Sequence, residues 1–554
     1  MLDVSRLVDR NQGGVHYATS AMTAAYWSGL MSDRREALNL VSSALTASGP
    51  LTLANACNAA TTAGPSMAAG ASATGSGWAS TGASAAMSLS GSGAKSASAT
   101  GSGAGSAAFL ARVFLAGASK VTKATKAADL TTWLRDQGVE TEGVAKAAVR
   151  QMLAGDIEGA ARQAVEIRAE AAKASTAKLT AMVKCACDDG RARGLHLVYG
   201  AGTGRWAGRL IQLQNLPRGV IKKADLAIPL IIDGDIDLVS MLFGPPLDVI
   251  SSNLRGCLIP AEGCDFIQSD FSNIEGRITA WLANEEWKIQ AFRDFDAGTG
   301  RDLYLIGAEK ILTLLKVLYA HPLNENSPER TPYGKVPELA LGFGGGVGAF
   351  QSMAAIYGMK VTDEEADQIK VAWREAHPRV VALWRNMEDA AFNAISNPGR
   401  VVSTAGGRIK YVVKGGFLWM VLPSGRPLAY AHPRIEKRRP AWNIGQDEIK
   451  LKDTITFMAV NSITRKWERC TTYGGSLAEN AIQAIARDLL ANALLKLEAA
   501  GYPVVIHVHD EALAEVRKGV GSVDEFKSIM CDTPAWAAGL PVAAAGWRGS
   551  RYRK

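Results

Sequence analysis

Charge is almost missing from one long part of this 554-residue chain: between residues 37 and 111 the only charged side chain is Lys95. The centre of that region is nearly all Ala, Gly and Ser. It holds too little apolar area to offset the entropy of ordering it. Residues 1–118 are therefore expected to be a low-complexity, disordered leader. Paired cysteines are missing too. The seven cysteines are scattered, and Cys185 and Cys187 form only a lone CxC, so a zinc site of the CxxC type is excluded. Such thiols suit a reducing compartment. No stretch has the length and apolarity of a membrane span, and the N-terminus lacks a charged-then-apolar signal pattern. The expected place of action is the cytoplasm, without membrane attachment. No internal repeat is evident. What is present is a basic surplus: the formal net charge is +8 and the pI about 9.0, which fits a polyanionic partner.

From about Lys120 the texture changes to successive amphipathic helices, with Leu179, Met182 and Val183 recurring at helical spacing in the last of them. A basic, Gly-rich stretch follows, "AGTGRWAGRLIQLQNLPRG", continued by Lys222 and Lys223. Residues 254–283 read as a strand leading into a helix. A helical stretch then runs to about 395, and 401–470 is β-rich with turn signals such as "PSGRP". The helix "SLAENAIQAIARDLLANALLKLEAAG" precedes the alternating segment "VVIHVHDEALAEV" at 504–516.

Two aspartates stand out. "CDFIQSDFSNIEGRITAWLA" (264–283) gives a strand ending near Asp270, then a helix whose apolar face is Ile274, Ile278, Trp281 and Leu282. Asp270 and Ser272 can equally be read as caps of that helix. Asp510 stands at the end of a second strand. Two strand-end carboxylates brought together repel unless cations separate them. Hard oxygen ligands suit Mg²⁺, which binds through one or two carboxylates plus substrate phosphates. Paired-metal sites of this kind drive in-line nucleotidyl transfer.

These residues resemble the DNA polymerase I-type, family A DNA polymerases, and phage or prophage members in particular. "DFSNIEGR" is similar to that family's motif A and "HVHDE" to its motif C. "RTPYGKVPELALGFGGG" (330–346) lies between them, in the place of motif B. "TGRWAGRLIQLQNLP" (203–217) resembles the primer-template segment, and "ENAIQAIARDLL" (479–490) the palm helix that carries a glutamine. The resemblance covers about 120–554. It implies an α+β, right-hand polymerase fold: thumb-like helices at 119–200, palm at 201–285 and 471–554 with an antiparallel sheet, and helical fingers at 286–470 with a β-rich insertion. It implies a monomeric enzyme in a bacterial or phage-infected cell that adds dNTPs to a primer 3′-hydroxyl on template DNA.

The resemblance also implies roles. Asp270 and Asp510 hold two Mg²⁺ ions, with Glu511 as a helper carboxylate. Glu275 is the steric gate against ribose. Lys335 and Arg330 meet the triphosphate, and Leu339 and Phe343, at i+4 and i+8 from Lys335 on the same helix face, stack on the nascent pair. Arg205 and Gln483 touch the minor groove, where acceptors occur on every base pair. Asn215, Arg277, Arg487 and His509 are further DNA-side residues, with Arg277 also placed to buttress Glu275 or the site. Asn480, Gln483 and Arg487 form a polar stripe that a plain solvated face would produce equally.

Several positions depart from the family pattern. Phe271 replaces a tyrosine, as Phe343 does, and Leu339 replaces an aromatic residue. Pro337 removes a backbone donor, so a helix is expected to begin there. Arg330 lies five residues before Lys335, where four are expected. Only Asp3, Asp9, Asp33 and Glu36 are acidic within 1–118, so no proofreading exonuclease is expected. Glu275 argues against a related single-subunit RNA polymerase. A non-catalytic nucleic-acid-binding remnant is the other alternative.

Overall fold

The computed structural model describes residues 15–17, 127–171, 177–217, 219–221, 223–439, 450–461 and 464–553. Apart from the short strand Val15–Tyr17, the leader read at 1–118 lies outside the described residues. The architecture is α+β, and the chain divides into two compact units. The smaller is helical and contains residues 127–191 and 217–257. Its helices Ala127–Asp136, Lys146–Ala154 and Gly159–Ala171 bury Leu130, Leu134, Val149 and Val165 together. Leu179 and Met182 are buried in the helix Ala177–Cys185, as their spacing predicts, while Val183 is half-buried. Residues 217–257 differ from the sequence-based division, which put them with 201–285. They form the short helices Ile228–Asp233, Ile236–Phe243 and Pro246–Asn253 and fall in the helical unit.

The larger unit holds residues 192–216 and 258–553 and is built on two antiparallel sheets. The first has four strands in the order Val504–Val508, Glu511–Arg517, Cys264–Phe271, Ala544–Gly549. Cys264–Phe271 is thus an inner strand, which explains why Phe266, Ile267, Gln268 and Ser269 are all buried instead of alternating. Against this sheet packs the helix Gly474–Ala499. Its Ala478, Ala481, Ala484 and Ala493 are fully buried, and such small side chains let neighbouring elements come close. The helix Ile274–Ala283 packs on the same long helix through Ile278, Trp281 and Leu282.

The second sheet is a six-stranded meander from Val402–Thr404 to Trp467–Thr472, where the sequence reads as β-rich. Its inner face buries Ile409, Tyr411, Leu418, Met420, Leu428 and Tyr430, in one core with the helices Pro378–Ser396 and Gly474–Ala499. The ladder shifts register between Ala431 and Arg434, and His432 takes a left-handed φ of 48° there. No helix among the described residues is long and apolar enough to cross a membrane.

Candidate active site

Strand register builds the acidic centre. Asp270 pairs directly with Glu511, so their side chains leave the sheet on the same face, with Cβ atoms about 5 Å apart for such a pair. Val508 pairs with Glu511, which leaves His509 and Asp510 as a two-residue turn, with His509 at a φ of 56°. The Phe271 N–H donates to the Asp510 carbonyl at 3.1 Å, locking this turn to the residue after Asp270. Glu511 is wholly buried, Asp270 and Asp510 are half-buried, and His509 is exposed. Neither Asp270 nor Ser272 is the N-cap of the helix that follows: that place is taken by Asn273, left-handed at φ 50°, whose side chain makes no capping bond.

Among the described residues no three His, Cys, Asp or Glu side chains form a closed metal cage. The donor set nevertheless fits Mg²⁺, which takes one or two carboxylates and completes its shell with substrate phosphates and water.

Next to this centre the Arg205 guanidinium is ion-paired with Glu275. Two residues expected to meet different parts of a substrate complex are thus joined to one another. Gln483 Nε2 donates to Glu479 Oε1 at 3.0 Å. Burial, then the nearby Glu275 charge, push the Glu479 carboxyl up, while Arg205 pulls it down. Glu479 was missed in the sequence, although its i−4 spacing from Gln483 was the available signal. The polar stripe on this helix is engaged rather than solvated. Asn480 Nδ2 donates to the Tyr430 hydroxyl at 3.0 Å. Arg487 Nε donates to the Gly204 carbonyl at 3.1 Å, and its guanidinium lies 4.5 Å from the Trp206 ring centre. Arg426, also missed, is buried and donates to Asp488 at 2.7 Å and to the Ala484 carbonyl at 3.0 Å. Together Arg426 and Arg487 hold the 199–206 loop that presents Arg205. Asn215 is exposed and donates to Gln212 Oε1 at 2.9 Å.

A histidine pair lies beneath the turn. His507 is buried, stacks on His196 with ring centres 4.1 Å apart, and meets the edge of Trp206 at 4.6 Å. His196 Nε2 donates to the His507 carbonyl at 2.8 Å. Burial holds both rings below their usual pKa, His507 well below it, so both are neutral near pH 7.

Arg277 corrects an expectation. It is 1 % exposed and cannot serve as a DNA-side residue. Its Nε donates to the Ser272 carbonyl at 2.6 Å, and its two Nη atoms grip Asp296 at 2.6 and 2.7 Å. Of the two supporting roles expected for it, bracing Glu275 or the site, it takes the second, holding the turn that follows Asp270. The sequence hid this because the partner carboxylate lies 19 residues further on.

The cationic segment resolves both oddities read around Pro337. Residues Arg330–Lys335 form a π-helical turn, and Val336–Leu341 continues as α-helix with Pro337 in its first turn. The Val336 N–H reaches back to the Thr331 carbonyl, an i→i−5 bond. A π turn holds one residue more than an α turn. The five-residue spacing of Arg330 and Lys335 is therefore one turn, and both cations return to the same side. Gly334 permits the turn, since a Cβ there would stand 2.0 Å from the Tyr304 carbonyl oxygen. Arg330 Nε donates to Asp302 Oδ2 at 2.6 Å, and the Lys335 ammonium lies 5.1 Å from the Tyr357 ring centre.

Leu339 is 44 % exposed, but the helix ends at Leu341, so Phe343 does not share its face as expected. Glycines at 342 and 344–346 end the helix, with Gly344 at a φ of 78°. Phe343 instead presents its carbonyl to the Tyr473 hydroxyl at 3.2 Å. On this helix Glu338 is ion-paired with the buried Lys288 and lies 3.8 Å from the buried His377. Burial, then the Lys288 charge, push His377 down to about 3, so it is neutral.

No family model matches the chain. A DNA polymerase of Bacillus phage SP02 is 37 % identical over 444 residues, which are 79 % of this chain and 65 % of that polymerase. The chain thus spans slightly under two thirds of its relative's length. The POL domain of Pol1 from M. smegmatis, solved in complex with DNA primer-template and dNTP, is 17 % identical and has the same fold at a TM-score of 0.51. That match covers 80 % of this chain and 63 % of the Pol1 chain. In sequence the chain is thus similar to a phage DNA polymerase, and it shares its fold with the POL domain of a Pol1 polymerase.

Proposed function

We propose that this chain adds deoxynucleoside triphosphates to the 3′-hydroxyl of a DNA primer as directed by a DNA template. The observation that carries the proposal is the register of Asp270 with Glu511, with Asp510 in the adjoining turn. Asp270 and Asp510 are the residues that would hold two Mg²⁺ ions, and Glu511 is the buried carboxylate behind them. When bound, such ions supply Lewis acidity to the primer hydroxyl and the triphosphate.

The rest is the work of this chain's own groups. Arg330 and Lys335, brought to one side by the π turn, bind the triphosphate. Leu339, exposed one turn beyond, packs on the incoming base, and Phe343 acts from the loop behind it. Glu275, held by Arg205, fills the space that a ribose 2′-hydroxyl needs. Gln483 and Arg205 face the primer terminus from the minor-groove side, and His509, exposed in the turn, meets the primer backbone. Asn215 and Arg487 border the same path, with Arg487 acting through the 199–206 loop. In this reading the four-stranded sheet is the palm, the 286–470 stretch supplies the fingers, and the 127–191 helices are thumb-like.

Primer extension tests the proposal. Asp270→Ala and Asp510→Ala should each remove several kcal/mol of transition-state stabilisation, roughly a thousandfold in rate. The variants should keep the parent's melting temperature to within a few degrees. Extension that survives both substitutions overturns the assignment. Comparing dNTP with rNTP incorporation separates it from an RNA polymerase.

A further inference from the structure

The net charge of this protein has an address. Residues 401–470 contain thirteen Lys and Arg against five Asp and Glu, a formal +8, equal to that of the whole chain. The remaining 484 residues are neutral in sum. This segment is the six-stranded sheet, and nothing in the acidic centre or the cationic turn depends on its outer face.

Register shows what that face carries. Lys414 pairs with Phe417, Phe417 with Ala431, Ala431 with Met458, and Met458 with Arg469. That row crosses five strands on one face. Residues an even number of positions along each strand share the face, which adds Lys410, Trp419 and Trp467. Past the bulge, Arg434 joins it through its pairing with Thr456. The opposite face is the buried one, with Tyr411, Leu418 and Met420 at 0 % exposure.

On the outer face Lys410, Lys414 and Arg434 are exposed, and Trp467 is 60 % exposed. The Phe417 and Trp419 rings lie 5.3 Å apart, centre to centre. A single exposed indole is ordinary, but one that shares its face with further rings and with cations belongs to a patch of the kind that marks an interaction surface. Rings alternating with cations on an open sheet form a stacking platform for unpaired bases, with phosphates neutralised between them. A stretch of duplex would use the cations but not the rings, since its bases are already stacked.

We propose that the outer face of this sheet is a binding surface for single-stranded DNA, separate from the polymerising centre. It draws the strand by charge and holds it by stacking on Trp467, Trp419 and Phe417. The proposal does not depend on nucleotidyl transfer and is tested with metal chelated, so its failure leaves the reading of the active site intact.

The experiment measures binding of a labelled oligothymidylate of about 20 nucleotides, enough for a site of this kind, to the full chain in EDTA by fluorescence anisotropy across a salt series. Trp467→Ala should weaken binding about tenfold, the effect of losing one stacked base. Lys410→Glu combined with Lys414→Glu and Arg434→Glu should lower the slope of log K against log salt by about 0.7 for each phosphate that is no longer neutralised. All these residues are exposed, so melting temperatures should hold. Extension of a primer-template with a short overhang at saturating concentration should keep the parent rate. Unchanged oligothymidylate affinity in both variants overturns the proposal. So does polyglutamate displacing the oligonucleotide as well as a second oligothymidylate does, because that result marks a site for an acidic polypeptide.

Discussion

The acidic centre and the cationic turn serve one reaction in the proposed function, yet they are held by different means. Asp270, Asp510 and Glu511 are placed by backbone: two paired strands and the Phe271–Asp510 hydrogen bond set their positions. Arg330 and Lys335 are placed by a π turn that rests on Gly334 and by side-chain partners, Asp302 and Tyr357. Backbone ladders are cooperative and change little when one side chain is removed. A turn held by an ion pair and a close glycine approach can be altered one atom group at a time. The difference suits the roles proposed for them: the carboxylates must keep a fixed spacing, whereas the cations must exchange partners when a triphosphate arrives.

Four substitutions test this contrast, in falling order of expected effect. Arg277→Ala strips the brace behind the Asp270 turn and leaves Asp296 without its bidentate partner. Arg277 is buried whereas Asp296 is exposed, so the loss is of charge-assisted hydrogen bonds, about 1.5–3 kcal/mol, plus the cavity that the side chain leaves. A large fall in the midpoint of urea unfolding is expected, with kcat falling more than dNTP KM rises. Gly334→Ala drives a methyl group into the Tyr304 carbonyl and should cost about 1–3 kcal/mol. Steady-state kinetics should show a raised dNTP KM, with primer-template affinity unchanged in a gel-shift titration. If primer-template affinity fell equally, the two regions would not be separable.

Asp302→Asn keeps the shape but weakens the hold on Arg330, a charge-assisted bond worth about 1.5–3 kcal/mol. Part of that is regained when Arg330 turns to the triphosphate, so a change of only several-fold in dNTP KM is expected. The smallest effect concerns pH. His377 is neutral when folded, with its pKa pushed down to about 3, against about 6.5 unfolded. The unfolded chain therefore binds more protons between those values, and stability is lost as pH falls from about 6.5 toward 3. In thermal melts from pH 7 to pH 4, His377→Gln should lose less stability than the parent.

The sequence is legible where chemistry and periodicity agree. Asp270 at a strand end, the apolar face of Ile274, Ile278, Trp281 and Leu282, and the β-rich 401–470 stretch all follow from patterns two to four residues long. Register does not follow: that Asp270 faces Glu511, 241 positions away, is decided by which strands pair. Pro337 and the extra residue before Lys335 look like damage when an α-helix is the only ruler, and a π turn makes both fit. Arg277 cannot be placed without its partner Asp296. Short helices such as those in 217–257 bear no mark in the sequence of which compact unit they join.

The two-residue turn at His509 and Asp510 has a further meaning. A left-handed backbone at His509 aims the side chain that comes next. Asp510 is thus steered by the handedness of its neighbour as well as by its own rotamer. A β-branched residue at 509 resists φ near 56°. Such a residue would swing the Asp510 carboxylate away while leaving every acidic group of the centre in the sequence. The histidine position acts as a steering joint, and its shape matters apart from anything its imidazole touches.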